Sequence, residues 1–464
     1  MKGSGRTTAG PLIPTVAGLV ILLGSLLTTA LQADDAGAEA TDAETASVQT
    51  EENGAEIEAA DASGSIGGND QDPAVMLASI AQRRTQRAAL FQTAPLKPVH
   101  DGAAKWHKDL YEEAHVDLGT SVHHLFQWLS ESLPGTDDWG TATDMDVIAR
   151  WDVLNRGEPK QLSVTAHIEN RWSWGTTGPM SIGAGSLGMV ASTGNTYDKY
   201  VPVTILRNFY FQLGGTKSKG ALRVGKVTVD GIFGVTRHLT PNVSCLSFTC
   251  NGSFAIAHSD SGLGVVGAWH FNDRFKILGA VADANGNRFN MGDIGAGDWY
   301  SAIDFGVKIW PLTEKAGYSK FTLWHNDGTK DGKGSNGSTG KEGWGYFILH
   351  EQELTRDGNL VAIFKYGRSM KESAIYERVA MASLVMYEPN LIGTITNDYV
   401  GIAWSMVKAV NEGARREQNV ETWYKFPLFP GLDMTLHYQA IINPALDLTY
   451  NFASAYSLRF TTAF

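Results

Sequence analysis

Charge is scarce in this chain of 464 residues: Asp, Glu, Lys and Arg make up only 19% of it, low for a soluble domain. Long oily stretches are missing as well. Beyond Ala33 no apolar run reaches the roughly 18 residues that a helical span needs. Cysteine is limited to Cys245 and Cys250, five positions apart. In an oxidising compartment that spacing suits a local disulfide stapling a loop tip. No His or Cys ligand pair lies nearby, so no metal site is expected. HExxH, a P-loop and a βαβ alternation are all absent, and no cofactor is expected. Gly183-Ala-Gly185-Ser-Leu-Gly188 spells GxGxxG without a βαβ setting, which predicts a glycine-rich loop or turn.

What is present begins with a leader. Lys2 and Arg6 precede an apolar run from Leu12 to Leu31, and cleavage after Ala33 would leave Asp34 first. The stretch also approaches the length of a membrane anchor, but Gly18, Gly24 and Ser25 interrupt it. An exported chain with no later helical span is periplasmic, secreted or an outer-membrane barrel. Residues 34–72 carry twelve acids and no Lys or Arg. The formal charge of -11 therefore belongs to a disordered acidic linker, and the near-neutral remainder gives no reason to expect nucleic acid. Residues 73–97 predict a short helix and linker: Pro73 suits a first turn, and Met76, Leu77, Ile80, Ala81 and Ala88 share a face opposite Arg83, Arg84 and Arg87. It reads as a periplasmic helix on a tether, or as a segment that binds a partner or enters a pore.

From residue 98 to 464 the period is two. Leu432, Met434, Leu436, Tyr438 and Ala440 fall on one face, and Asp433, Thr435, His437 and Gln439 on the other. Leu162–Trp172 and Trp299–Ile309 alternate in the same way, with turn clusters such as Asp357-Gly358-Asn359 between such runs. A soluble sandwich alternates too. The final stretch favours a membrane barrel: Tyr456, Leu458, Phe460, Thr462 and Phe464 share a face, a pattern suited to recognition by the barrel insertion machinery. About sixteen antiparallel strands would use roughly 23 residues each, in an up-and-down β-barrel wide enough for an aqueous channel. The 51 glycines suit its turns, and the 10% aromatic content its interfacial girdles. His123 and His124, as strand neighbours, point to opposite faces and cannot chelate one metal. His258-Ser-Asp260 are neighbours too and do not make a triad.

Several ordered segments carry a resemblance. Glu421-Thr-Trp-Tyr424, then Gln439-Ala-Ile-Ile-Asn443-Pro444 and the strand ending at Phe464, form one pattern. Leu222-Arg223-Val224-Gly225-Lys226 with Asp230 and Phe233, Gly279-Ala-Val-Ala-Asp283, Glu351-Gln352 and Asn397-Asp398-Tyr-Val-Gly401 precede it. Together they resemble the carbohydrate-selective, OprB-type porins of bacterial outer membranes over residues 105–464. Where that family usually has an arginine shortly before the Asp, this chain has Thr394 and Ile395. The resemblance implies passive, substrate-preferring diffusion of small carbohydrates through a Gram-negative outer membrane, by a channel and not an enzyme. Selectivity then needs a constriction of charged and aromatic side chains. Arg171, Arg223 and Lys226 are the candidate donors, Glu169, Asp304, Asp398 and Glu421 the acceptors, and Trp423 an aromatic platform. Outer-membrane lipid and the insertion machinery at Phe464 are the expected partners, with a homo-oligomer possible for porins of this size. A general porin, an outer-membrane hydrolase with a Ser–His–acid cluster and an adhesive barrel with a plugged lumen remain the alternatives.

Overall fold

The computed structural model describes residue 66 and, from 72 to 464, all residues but 86–87, 195–196, 198–202, 216–217, 241, 252, 310–314, 316, 394 and 396. The leader 1–33 and the linker 34–72, save Ile66 and Asp72, lie outside the described residues, as do the side chains of Arg83, Arg84 and Arg87.

Sixteen antiparallel strands close into one barrel. They are β1 (Val116–Leu129), β2 (Trp139–Leu154), β3 (Leu162–Ser173), β4 (Val203–Leu213), β5 (Gly220–Val227) and β6 (Gly262–His270). Next come β7 (Phe275–Asp283), β8 (Trp299–Ile309), β9 (Gly317–Asn326), β10 (Gly343–Glu353) and β11 (Leu360–Ser369). The circuit ends with β12 (Tyr376–Tyr387), β13 (Tyr399–Ala409), β14 (Arg416–Phe429), β15 (Leu432–Ile442) and β16 (Phe452–Ala463). Each strand pairs with its neighbour in sequence, and β16 returns to β1 with Leu458 opposite Phe126. Closure leaves no unpaired edge, which is what a strand protein needs in a lipid environment.

The expected period-two stretches are β3, β8 and β15, and their two faces differ as the alternation requires. On β15, Asp433, Thr435, His437 and Gln439 are buried inside, while Leu436 is 41% exposed on the outer wall. His123 turns inward to Thr461 and His124 outward to Thr143, so the two histidines are on opposite faces. Connections at the end holding the start of β1 and the end of β16 are mostly short. One of them is the two-residue turn Pro430-Gly431, where Gly431 has φ +82 and lies against the His100 ring. The opposite end carries the long connections 174–202, 228–261, 284–298 and 327–342.

Two helices precede β1. Helix α1 (Pro73–Thr85) is capped by Asp72, whose carboxylate accepts from the Ala74 N–H at 2.9 Å. It lies inside the barrel: Met76, Leu77 and Ile80 pack on the inward-facing Ile148 of β2 and Ala463 of β16. Gly119 of β1 makes the approach possible, because a Cβ there would meet Leu77 and Ile80 at 2.9 Å. Helix α2 (Lys97–Ala114) sits at the rim, its His100 ring 5.0 Å from that of Phe464, and the strands begin only after it, at Val116. The barrel expected from residue 98 therefore starts at Val116, and Lys97–Ala114 is helical instead. The GxGxxG stretch is also helical, as α3 (Pro179–Leu187), and not a turn. Pro179 opens it and Gly188, at φ +67, ends it, the usual placement of proline and glycine about a helix.

Candidate functional site

The lumen is narrowed by two connections that fold inward, 228–261 and 174–202, the latter carrying α3. Their hydrogen bonds come from inward-facing wall residues. Glu421 of β14 accepts from the N–H groups of Leu246 (2.6 Å) and Ser247 (3.0 Å). Four residues earlier on the same face, roughly 13 Å along the strand, Glu417 accepts from Val190 and Ala191 at 3.0 and 2.9 Å. Lys365 donates to the Cys250 carbonyl (2.5 Å), and Arg459 to that of Ser244 (2.6 Å). Gln127 and Gln439 both reach the Thr193 carbonyl, at 2.7 and 2.8 Å. Two neighbouring carboxylates on one strand thus hold two different loops in the bore.

Against this inward fold stands a ladder of charge on β2, β3 and β4. Asp144 pairs across the strands with Arg171, and Asp146 with Glu169. The Arg171 guanidinium binds Glu169, Arg207 reaches the other oxygen of Glu169 at 3.2 Å, and His167 meets Asp146 at 2.8 Å. Arg207 also approaches Asp230 in the inward loop at 3.8 Å. Guanidinium donors and carboxylate acceptors alternate over a few ångströms here, each at most 7% exposed and paired with its neighbours. Asp144, Asp146 and Glu169 also bring carboxylate oxygens within 4.8 Å of one another, as Cys245, Cys250 and Glu421 do with their ligand atoms. The first trio already faces Arg171, Arg207 and His167, which leaves it little excess charge for a cation.

The remaining sequence candidates are scattered. Arg223 is bound by Asp72 (2.5 and 3.1 Å) and Gln212 (2.8 Å) and lies over the Tyr210 ring, 4.7 Å from its centroid. It anchors the start of α1 through Asp72. Lys226 is not a free donor: its ammonium is taken up by the carbonyls of Ser261 (3.0 Å), Asn287 (2.6 Å) and Asn290. Asp304 borders a cavity of about 10 Å³ shared with Ile66, Ile232 and Lys320, room for one water. Asp398 lies apart, in the turn before β13, accepting from Tyr424 at 2.7 Å on the outward phase of β14. Trp423 is no platform: it is 2% exposed, packed with Cys245, Cys250 and Leu239 over Gly401. Strand phase was legible for Trp423, but the loop covering it and the turn holding Asp398 were not.

Cys245 and Cys250 are buried thiols joined by a hydrogen bond, not by a disulfide. Burial, with Cys250 and Glu421 close by, pushes the Cys245 thiol well above its usual range.

No family model matches the chain, and no curated protein matches it. Solved structures do. The high-pH structure of Pseudomonas putida OprB superposes with a TM-score of 0.63 at 11% identity, over 78% of this chain and 97% of that one. The fold is porin-like. The outer membrane channel DcaP of Acinetobacter baumannii is similar over 75% of this chain and 97% of its own, at 9% identity and a TM-score of 0.47.

Three residues of this porin-like bore went unnoticed in the sequence. Arg459 alternates with Leu458 and Phe460, so phase alone marks it as inward. Lys365 could have been found the same way, between Phe364 and Tyr366. Arg207 could not, because both it and Asn208 point inward. A bulge in β4, where Ile168 follows His167 but Leu206 and Asn208 are their partners, re-aims it.

Proposed function

We propose that the protein is an outer-membrane porin of a Gram-negative bacterium, exported with loss of its leader, that lets small carbohydrates diffuse passively and with preference. The observation that carries this reading is the charge ladder Asp144–Arg171–Glu169–Arg207 facing the inward loop 228–261. A sugar passing such a ladder would shed part of its hydration, and alternating donors and acceptors would replace it without binding tightly enough to stop flux. The outward Phe, Trp and Leu side chains support a lipid surround.

Planar-bilayer conductance of the purified full chain tests the reading. Mono- and disaccharides should block current in a dose-dependent way, and Arg171→Ala should weaken that block by about tenfold, the loss of one to two charge-assisted hydrogen bonds. Current indifferent to every sugar would remove the substrate claim.

A general porin for another small polar solute is the second reading. The position of Asp398, tied to Tyr424 away from the ladder, favours it. Ion selectivity and a size cutoff distinguish the two.

A further inference from the structure

The outer wall carries a feature that neither a bore nor a fold requires. Arg368 of β11 lies directly opposite Arg378 of β12, Arg378 opposite Lys408 of β13, and Lys408 opposite Arg416 of β14. Four cations therefore stand in one row across four adjacent strands, about 14 Å long at the usual strand spacing. They share the outward phase, and the Arg378 and Lys408 side chains are 45% and 43% exposed. Like charges directly opposite one another destabilise a sheet, so an uncompensated row is costly.

One carboxylate, Glu377, meets the row at a bulge, pairing with Arg378 at 3.2 Å and with Lys408. Arg368 and Arg416 have no ion pair among the described residues. The row thus keeps an excess of positive charge facing outward. It lies at the long-loop end of the barrel, but under the short connections 370–375 and 410–415.

Beneath it the surface changes from charge to shape. The next two outward rungs place Ala380 between Tyr366 and Met406, and Ala382 between Phe364 and Trp404. Small side chains flanked by large ones form a shallow apolar furrow running down the wall from the cations. Phe364, Tyr366 and Trp404 are exposed by 52%, 37% and 38%.

We propose that the row and furrow together bind an anionic, phosphomonoester-bearing lipid of the outer leaflet, with phosphate on Arg368, Arg378, Lys408 and Arg416 and an acyl chain along Ala380 and Ala382. Guanidinium groups suit bidentate phosphate contacts. The furrow favours a lipid over free phosphate, because an anion alone would have no use for an apolar channel beside its site. Its place on the outer leaflet rests on the outer-membrane reading above.

Native mass spectrometry of the full chain in detergent, titrated with lipid A, with phosphatidylcholine, or with lipid A plus excess inorganic phosphate, tests this. Two variants are compared with the native protein: the fourfold R368Q/R378Q/K408Q/R416Q, and A380W/A382W, which fills the furrow. One tightly held lipid A per barrel, weakened at least tenfold in each variant that folds and little displaced by phosphate, is the expected result. Equal retention by native protein and variants overturns the site, and so does equal retention of phosphatidylcholine. Displacement by inorganic phosphate, with A380W/A382W unaffected, overturns the lipid in favour of a bare anion site. Conductance of the same preparation separates the two claims. A channel that conducts while ignoring the cation row defeats only the lipid site, and a barrel that never conducts defeats the porin reading.

Discussion

Single side chains decide how the bore is narrowed. Glu421 shows this most directly, since its two oxygens receive two backbone N–H groups of one inward loop, which Lys365 and Arg459 also hold to the wall. Glu421→Ala leaves both donors buried without an acceptor, at about 1–3 kcal/mol each. The expected outcome is a lower melting temperature, with larger and noisier single-channel currents. Glu421→Gln keeps one acceptor and should fall between. The thiols make a second case at this scale. Cys245 and Cys250 are close enough to hydrogen-bond inside the same loop, and an oxidising compartment should join them with loss of two hydrogens to its thiol oxidant. Denatured protein from the membrane fraction is then expected to show no titratable thiol before reduction and two after it. Two thiols before reduction would mean that loop closure relies on noncovalent contacts such as those of Glu421, Lys365 and Arg459.

Among the elements, α1 changes the meaning of Arg223. The resemblance implied a pore-lining donor at this arginine, but the tertiary structure gives it to Asp72 at the start of a helix inside the bore. A helix seated among Gly119, Ile148 and Ala463 occupies space that solute would otherwise use. Deleting residues 66–85 should raise single-channel conductance severalfold, read in planar bilayers. Arg223→Ala leaves Asp72 a buried, unpaired charge, a loss of about 3–5 kcal/mol, and should shift the same currents in the same direction but less completely. Unchanged conductance in both variants would show that solute passes beside α1. The bulge in β4 is the other element whose role exceeds its pattern: by admitting one extra residue it turns Arg207 onto Glu169.

At the scale of the molecule, a closed sheet separates two solvents. The outer wall presents aromatic and aliphatic side chains, the inner wall acids, bases and amides. Purified protein should therefore need detergent to stay dispersed, and should migrate differently on gels before and after boiling, as a barrel held by a complete ring of strand pairs does. Solubility without detergent would contradict the assignment of outside and inside.

Period two determined a great deal without any coordinates. It located β3, β8 and β15 and assigned their faces, because successive strand side chains must point to opposite sides whatever the fold, and chain length at roughly 23 residues per strand led to a count of about sixteen. It placed Glu169, Arg171, Asp304 and Glu421 on the inner wall for the same reason. Covering is another matter. Whether an inward side chain meets water, a loop or a helix depends on residues far away in the chain, and no local period records them. Trp423 is sealed by a loop nearly two hundred positions earlier, Arg223 is claimed by Asp72, and the four cations of the outer row become neighbours only through the register of four strands. Alternation fixes direction, a property of the backbone at each residue. Proximity comes only with closure of the barrel and the loops folded into it.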